Sequence, residues 1–248
     1  MRHSLLAATL LTALVAGCKA EAPTTPAASS EAASAAASQA DARFAELSKR
    51  WLEGWLPLNP VSATQIGDHR FDAELDDVSA AGRQRALDFS KKILAELDAI
   101  DASTLSRENQ VDASILRNQL RGDIWSTETL QAWAWDPQGY NGLAGGAIYN
   151  LMAREFAPLP ERLKSATARM EKLPTMFVQM RANIDVARVP KIHAETVAKQ
   201  HAGLLSLVDT FITPNADQLQ GADRKRLDTA VAGLRTAVAE HQDRKSVV

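Results

Sequence analysis

The sequence predicts an all-α fold, a multi-helix antiparallel array that follows a signal peptide and a disordered tether. Three observations support this prediction. Alanine is abundant, apolar residues recur at helical spacing, and no stretch shows the sustained apolar–polar alternation that is typical of strands. Prolines also stand where several helices should begin, and short connections favour antiparallel neighbours.

The first helix is expected over residues 41–55, because four large apolar residues recur there at helical spacing. They are Phe44, Leu47, Trp51 and Trp55. A short second helix is expected over residues 60–66. Asn59 and Pro60 suit an N-cap and first helical position, and Gly67 suits the position after the last turn.

The next two helices are predicted from capping residues. Ser79 and Ser106 each precede an apolar stripe and can accept a hydrogen bond from a free backbone N–H group. The stripes consist of Ala86, Phe89, Ile93, Leu97 and Ile100, and of Leu116, Leu120 and Ile124. Residues 125–146 contain Pro137 and several glycines, so they are expected to be irregular, with a short helix over residues 147–155.

Prolines mark the remaining helices. Pro160 is expected to open one helix, and Pro174 another that runs to about residue 186. Pro190 is expected to open a long helix that Pro214 ends. Asp223 suits the cap of the last helix, whose apolar stripe consists of Leu227, Val231, Leu234 and Val238.

The start of the chain predicts export. A short basic start is followed by residues 4–16, which are almost wholly apolar or small, so residues 1–17 have the pattern of a signal peptide. This run is shorter than the roughly 20 residues that a membrane-spanning helix needs.

The segment 14–18 resembles the bacterial lipobox and ends in Cys18, the single cysteine of the chain. In a lipobox the cysteine thiol receives a diacylglyceryl group and its freed amine is usually acylated. Several acyl chains, at about 0.8 kcal/mol per CH₂, form a stable membrane anchor. We predict lipidation of Cys18, against an ordinary secretory signal or a chance cysteine. Lys19, in place of the aspartate that commonly retains lipoproteins in the inner membrane, favours the outer membrane, facing the periplasm.

Composition sets the remaining boundaries. Residues 18–40 are predicted to be the lipidated cysteine and a flexible linker, because small and polar residues cannot offset the entropy of ordering. Residues 41–248 are predicted to be the helical domain. The formal net charge is −2 without a long basic block, which argues against nucleic acid as the main partner.

No complete catalytic, cofactor-binding or metal-binding site emerges from motifs. His193 and His201 lie eight positions apart, about 12 Å along one helix, whereas a helical zinc pair needs a spacing of four, so both are interpreted as solvated surface residues. The acidic loop, residues 68–78, departs from the calcium-loop pattern, so capping and solvation are favoured. Serine-hydrolase and phosphate-loop motifs are absent from the sequence. The aromatic residues of segment 125–149 fit either a ligand cleft or the core.

Seven phrases of the sequence resemble a known family when they are taken in order. They are residues 59–72 (NPVSATQIGDHRFD), 75–79 (LDDVS), 154–156 (REF), 162–163 (RL), 169–174 (RMEKLP), 181–184 (RANI) and 189–190 (VP). Together they resemble the amino-terminal part of the bacterial family catalogued as domain of unknown function 885. The resemblance runs from about residue 41 to residue 219.

This resemblance implies a mostly helical, exported lipoprotein, typically far longer than this chain and grouped with zinc-dependent metallopeptidases. The implied metal site lies in a carboxy-terminal segment where His-Glu is closely followed by more histidines. None of those residues matches a position here, so the resemblance assigns this chain no catalytic or metal-binding residue. Zinc and a peptide substrate are expected only in a longer form.

Two hypotheses remain open. In the first, the chain is the amino-terminal fragment of a peptidase-like lipoprotein and is inactive alone, which predicts an exposed apolar patch larger than a few hundred Å². In the second, it is a complete, non-catalytic helical lipoprotein that binds a partner or ligand. The second requires the apolar faces, including residues 227–238, to be buried within the chain or a homo-oligomer.

Overall fold

The computed structural model describes residues 27–243 and confirms the all-α prediction for that range. The nine α-helices within it are α1 (Ala27–Trp55), α2 (Pro60–Ile66), α3 (Ala80–Asp98), α4 (Arg107–Trp125), α5 (Ala132–Trp135), α6 (Pro137–Met152), α7 (Leu159–Asn183), α8 (Lys191–Leu207) and α9 (Gly221–Asp243). No β-strand occurs between residues 27 and 243. The predicted signal peptide and Cys18 lie outside the described residues.

Helix α1 begins earlier than predicted. It starts at Ala27, so residues 27–40 of the predicted linker are helical, and Ala40 is buried. Alanine is the strongest helix former, and extending a helix that packing has already nucleated costs little. The helix therefore continues backwards from its packed part through an alanine-rich segment.

The bounds of α2 agree with the prediction, but its capping does not. The Asn59 side chain makes no cap and donates instead to the Trp55 carbonyl oxygen at 2.9 Å. The backbone N–H of Val61, in the first turn, donates to Asp76 Oδ2 at 3.0 Å. Gly67 ends the helix with φ = +95°, a conformation that favours glycine.

Opposite effects are expected from alanine at two glycines. Gly67→Ala should lower the free energy of unfolding by about 1 kcal/mol, because a Cβ atom is strained at a left-handed φ. Gly122→Ala should raise it by about 0.5–1 kcal/mol, because Gly122 lies inside α4 with open space around it. Urea denaturation of both variants checks the prediction, and an equal sign for the two changes would contradict it.

The prediction of an irregular segment over residues 125–146 is wrong for its second half. Helix α6 runs through all four of its glycines, with Pro137 in its first turn and the Asp136 carboxylate accepting from the Gln138 N–H group. A Cβ atom on Gly146 would lie 3.2 Å from Val61 Cγ1, so a glycine there lets α6 approach α2 closely. A π-helical turn, Ser126–Leu130, and the short α5 occupy the first half.

Pro174 does not open a new helix. It lies inside α7, which is continuous from Leu159 to Asn183. An interior proline removes a hydrogen bond and costs about 3 kcal/mol. Its neighbours Leu173, Met176 and Phe177 are almost fully buried, and their burial offsets that cost.

The apolar stripe of α9 is buried at three of its four residues, and Val231 is partly buried. Leu227, Leu234 and Val238 are at most 1% exposed, and α9 packs mainly against α7. The exposed patch expected from the fragment hypothesis is therefore not found on residues 221–240, whose side chains the structure describes. Burial within the chain satisfies the condition of the second hypothesis for α9 only, since Ile66, Ile115 and Ile192 are each more than 60% exposed.

Most of the buried apolar residues form two clusters. One joins α1, α3 and α4 around Phe44, Leu47 and Leu97. The other joins α2 and α6–α9 around Ile148 and Met170. A cleft opens where the two groups of helices meet.

Candidate functional site

The junction cleft is the cavity between the amino-terminal ends of α3 and α6, with a volume of about 420 Å³. Small-molecule sites commonly have volumes of roughly 300–1,000 Å³ and favour the boundary between packed units. Its polar and aromatic lining includes Asp76, Asp77, Arg83, Trp133, Asp136 and Tyr140. Apolar lining residues are Leu58, Leu75, Val78 and Leu143.

Trp133 and Tyr140 form the aromatic wall of the junction cleft. The Trp133 indole N–H donates to the Thr127 carbonyl oxygen at 3.0 Å, and the Tyr140 hydroxyl donates to the Trp133 carbonyl oxygen at 2.7 Å. Asn183 Nδ2 donates in turn to the Tyr140 hydroxyl oxygen at 3.1 Å. These bonds fix both rings. Both residues line the junction cleft, and Tyr140, at 7% exposed, is also part of the buried core.

Two other aromatic residues of the segment are not core anchors. Trp125 is 53% exposed and Tyr149 is 50% exposed. Tyr149 contacts the Phe211 ring edge-on at 6.0 Å between centroids. Neither residue lines the junction cleft.

Arg83 carries positive charge into the junction cleft. Its guanidinium carbon lies 3.7 Å from the centroid of the Trp133 ring, and Nη1 donates to Asn183 Oδ1 at 3.1 Å. The side chain is half-buried, and no carboxylate of the described residues forms an ion pair with it. Burial raises the pKa of the Tyr140 hydroxyl, although Asn183 and the charge of Arg83 act in the opposite direction.

The carboxylates of the cleft have partners within the fold. Asp77 accepts from Arg85 Nη2 at 2.5 Å and from the Ser79 N–H group at 3.0 Å. Although burial alone would raise the pKa of Asp77, these interactions lower it. Asp136 accepts from His193 Nδ1 at 3.0 Å.

Asp76 is a largely desolvated carboxylate of the acidic loop. Burial raises its pKa above the ordinary value of 3.8, although the Val61 hydrogen bond and the charge of Arg169 act in the opposite direction. The raised pKa means that the folded state holds this proton more tightly than the unfolded state.

Asp76→Asn is expected to gain stability relative to the native chain as the pH rises above about 3.8. At low pH Asp76 of the unsubstituted protein is protonated in both the folded and the unfolded state. As the pH rises, Asp76 ionises first in the unfolded state, which is thereby favoured. An asparagine oxygen still accepts from Val61 but does not ionise. Urea midpoints of both proteins from pH 4 to pH 7 check this.

Asp101→Asn is the control of opposite sign. Hydrogen bonds from the Ser103 side chain and backbone lower the pKa of the exposed Asp101, so this variant should lose stability relative to the native chain as the pH rises. If the stability of both variants relative to the native chain changed in the same direction with pH, the raised pKa of Asp76 would be contradicted.

Arg169 lies directly behind the acidic loop and is fully buried. Its guanidinium group donates to four backbone carbonyl oxygens and one hydroxyl: Glu74 (2.9 Å), Pro60 (3.0 Å), Ala147 (3.2 Å), Phe71 (3.5 Å) and Thr64 Oγ1 (2.6 Å). Burial lowers the pKa of Arg169 to about 10, although Asp72 and Asp76 act to raise it. The group therefore stays charged at neutral pH and ties α2, the acidic loop and α6 to α7.

Asp72 completes this buried network. It is 8% exposed, its Oδ1 accepts from the Thr64 hydroxyl at 2.6 Å, and its Oδ2 lies 3.0 Å from His69 Nδ1. The prediction that the acidic loop is solvated is therefore wrong for Asp72 and Asp76. Capping holds for Asp68, which accepts from the Arg70 N–H group.

Motif reasoning missed Arg169, although one signal was present. The residue lies three positions after Ala166 and four before Leu173, a spacing that places it on the same helix face as these two apolar residues. A charged side chain on the apolar face of a helix destabilises the fold unless it is paired or hydrogen-bonded there. No sequence signal identified those partners.

His193 is not a solvated surface residue as predicted. Its ring lies 5.6 Å from the Trp135 ring, its side chain is 25% exposed, and it pairs with Asp136. The side chain of His201 lies outside the described part of the structure. His69 stacks on Phe156 at 3.6 Å between ring centroids.

The described residues do not fit a zinc or calcium site. Among them, no group of three or more histidine, cysteine, aspartate or glutamate side chains is placed to hold a metal ion. The two His–Asp pairs, at Asp72 and Asp136, each supply a carboxylate-bound imidazole, which alone is too few ligands.

The predicted lipidation site, Cys18, lies outside the described residues. Within residues 27–243, no helix combines the length and hydropathy needed to cross a membrane.

Comparisons with known proteins give two matches. The model of the family described as "Bacterial protein of unknown function (DUF885)" matches residues 60–245. A solved structure from Shewanella oneidensis, described as "a putative lipoprotein of unknown function", is similar with a TM-score of 0.76 and 28% sequence identity. The similarity covers 82% of this chain and 37% of that chain, so this chain spans well under half of that protein's length. No curated protein matches the chain.

Proposed function

The chain belongs to the bacterial family of unknown function 885, and from this premise we propose that it is the helical amino-terminal part of an exported, zinc-dependent, peptidase-like lipoprotein. Residues 1–17 direct export, Cys18 carries the lipid, and the helical domain works on the periplasmic side of the outer membrane. The catalytic metal site belongs to a segment outside residues 1–248. Without that segment, the chain is inactive.

The observation that carries this proposal is the unequal coverage of the structural match. Most of this chain corresponds to 37% of a longer chain that is itself described as a lipoprotein. The similar region is therefore only one part of that relative. The misfit of the described residues to a metal site is consistent with ligands supplied by another part.

A second candidate is a complete, non-catalytic lipoprotein that binds a partner or ligand. The burial of Leu227, Leu234 and Val238 favours it, because the described part of α9 needs no further segment to cover it. The junction cleft supplies a place for a ligand in either case.

The downstream DNA distinguishes the two candidates. A continuing reading frame that encodes His-Glu closely followed by further histidines is expected from the peptidase-like proposal. The extended protein should then hydrolyse peptides, and a zinc chelator should abolish that activity. An authentic stop codon with no such segment nearby would overturn this proposal and leave the binding function.

A further inference from the structure

We propose that the junction cleft binds a ligand through its carboxylate group, with Arg83 as the cationic partner and Trp133 and Tyr140 as walls. The ligand is a short peptide with a free carboxy terminus or a small free carboxylic acid. This inference concerns the cleft of the described domain and holds whether or not the chain belongs to a peptidase.

The charges of the cleft indicate an anionic ligand group. Asp77 forms an ion pair with Arg85, Asp136 accepts a hydrogen bond from His193, and Asp76 accepts from Val61 and lies near the charge of Arg169. Arg83 alone among the lining cations has no carboxylate partner in the described part of the chain. A ligand carboxylate would supply the missing countercharge.

The geometry of Arg83 suits a carboxylate. A guanidinium group presents several N–H donors in a planar fork that matches the two oxygens of a carboxylate. Here one face of the plane stacks on Trp133, and one nitrogen donates to Asn183. Stacking uses the face and leaves edge donors for in-plane hydrogen bonds.

The supporting residues hold Arg83 in place. Asn183 Nδ2 donates to the Val78 carbonyl oxygen at 2.6 Å and to Tyr140 Oη at 3.1 Å, so the amide that orients Arg83 is itself fixed. A preordered cation loses little side-chain entropy when a ligand binds. Arg83 and Asn183 are separated by 100 positions in the sequence, so the fold assembles this arrangement.

The rest of the cleft limits the ligand further. Asp76, Asp77 and Asp136 would repel a doubly charged phosphate more strongly than a singly charged carboxylate. Leu58, Leu75, Val78 and Leu143 offer apolar surface beside the cation. A carboxylate attached to an apolar group, such as a carboxy-terminal leucine, therefore matches both features.

Titration calorimetry with the purified chain tests the proposal with three probes. They are acetyl-Ala-Ala-Leu with a free carboxylate, the same peptide as its carboxy-terminal amide, and 4-methylpentanoate. We expect the acid peptide to bind at least about tenfold more tightly than the amide, a difference within reach of one charge-assisted contact. Stronger binding of the peptide than of 4-methylpentanoate would identify a peptide as the source of the carboxylate, and equal binding would identify a free acid.

Variants locate the binding. Arg83→Gln should reduce the affinity for the acid peptide to the affinity for the amide. Arg83→Lys keeps the charge but not the planar fork, so its affinity for the acid peptide should lie between those of the native chain and of Arg83→Gln. Arg226→Gln is the matched control, because Arg226 pairs with Glu171 outside the cleft lining and should leave the affinity unchanged. Equal affinities for acid and amide in the native chain, or no binding of either, would overturn the proposal regardless of how the variants fold.

Discussion

Arg169→Met is expected to lower the free energy of unfolding by about 3–5 kcal/mol, the usual cost of removing one partner from a buried ionic network. Methionine fills a similar length but donates no hydrogen bond. The carbonyl oxygens of Pro60, Glu74 and Ala147 would each lose the hydrogen bond from Arg169, and the buried Asp72 would lose the charge that compensates it. Urea denaturation followed by circular dichroism measures the loss.

Arg226→Met provides the matched control for this prediction. Arg226 is also an arginine paired with a carboxylate, Glu171, but its side chain is 50% exposed, so its loss should cost less than about 1 kcal/mol. Arg169→Lys should remain strongly destabilised, because an ammonium group cannot span the positions that the guanidinium fork reaches. A loss below about 1 kcal/mol for Arg169→Met would show that the network does not stabilise the fold as we describe.

Cys18→Ala is expected to abolish acylation completely. The thiol of Cys18 is the only one in the chain, so no other cysteine could receive the diacylglyceryl group. Metabolic labelling with an alkyne fatty acid, followed by purification of the protein, measures the effect. The variant should retain the uncleaved signal peptide, since cleavage at a lipobox follows lipidation of the cysteine.

Lys19→Asp is the companion variant. It keeps Cys18 and should be labelled to the same extent, but it should move from the outer-membrane to the inner-membrane fraction on a density gradient. Labelling that persists in Cys18→Ala would refute the lipobox assignment. Normal labelling with an unchanged membrane fraction in Lys19→Asp would refute only the predicted choice of membrane.

The helices were largely predictable because their signals are local. Ser79 and Ser106 cap the helices that follow them, and Gly67 ends α2, as their types and positions indicated. Two of the errors have tertiary causes. Close packing against α2 makes glycine acceptable inside α6, and buried neighbours carry α7 through Pro174.

The candidate site was less predictable because its contacts join distant parts of the sequence. Arg169 donates to the Pro60 carbonyl oxygen across 109 positions, and Arg83 donates to Asn183 across 100. Composition indicated only that the aromatic residues of segment 125–149 could line a cleft. Which of them do so depends on where α3 meets α6, and no local pattern records that meeting point.

Zinc content tests most directly the central claim that this chain is the helical part of a peptidase-like lipoprotein whose metal site lies elsewhere. Residues 18–248 and the form extended through the downstream frame would be purified from zinc-supplemented cells, dialysed against the same buffer and analysed by plasma mass spectrometry. We expect the extended form to retain zinc in proportion to protein, and residues 18–248 to retain only a trace. Stoichiometric zinc on residues 18–248 alone, or none on the extended form, would contradict the claim.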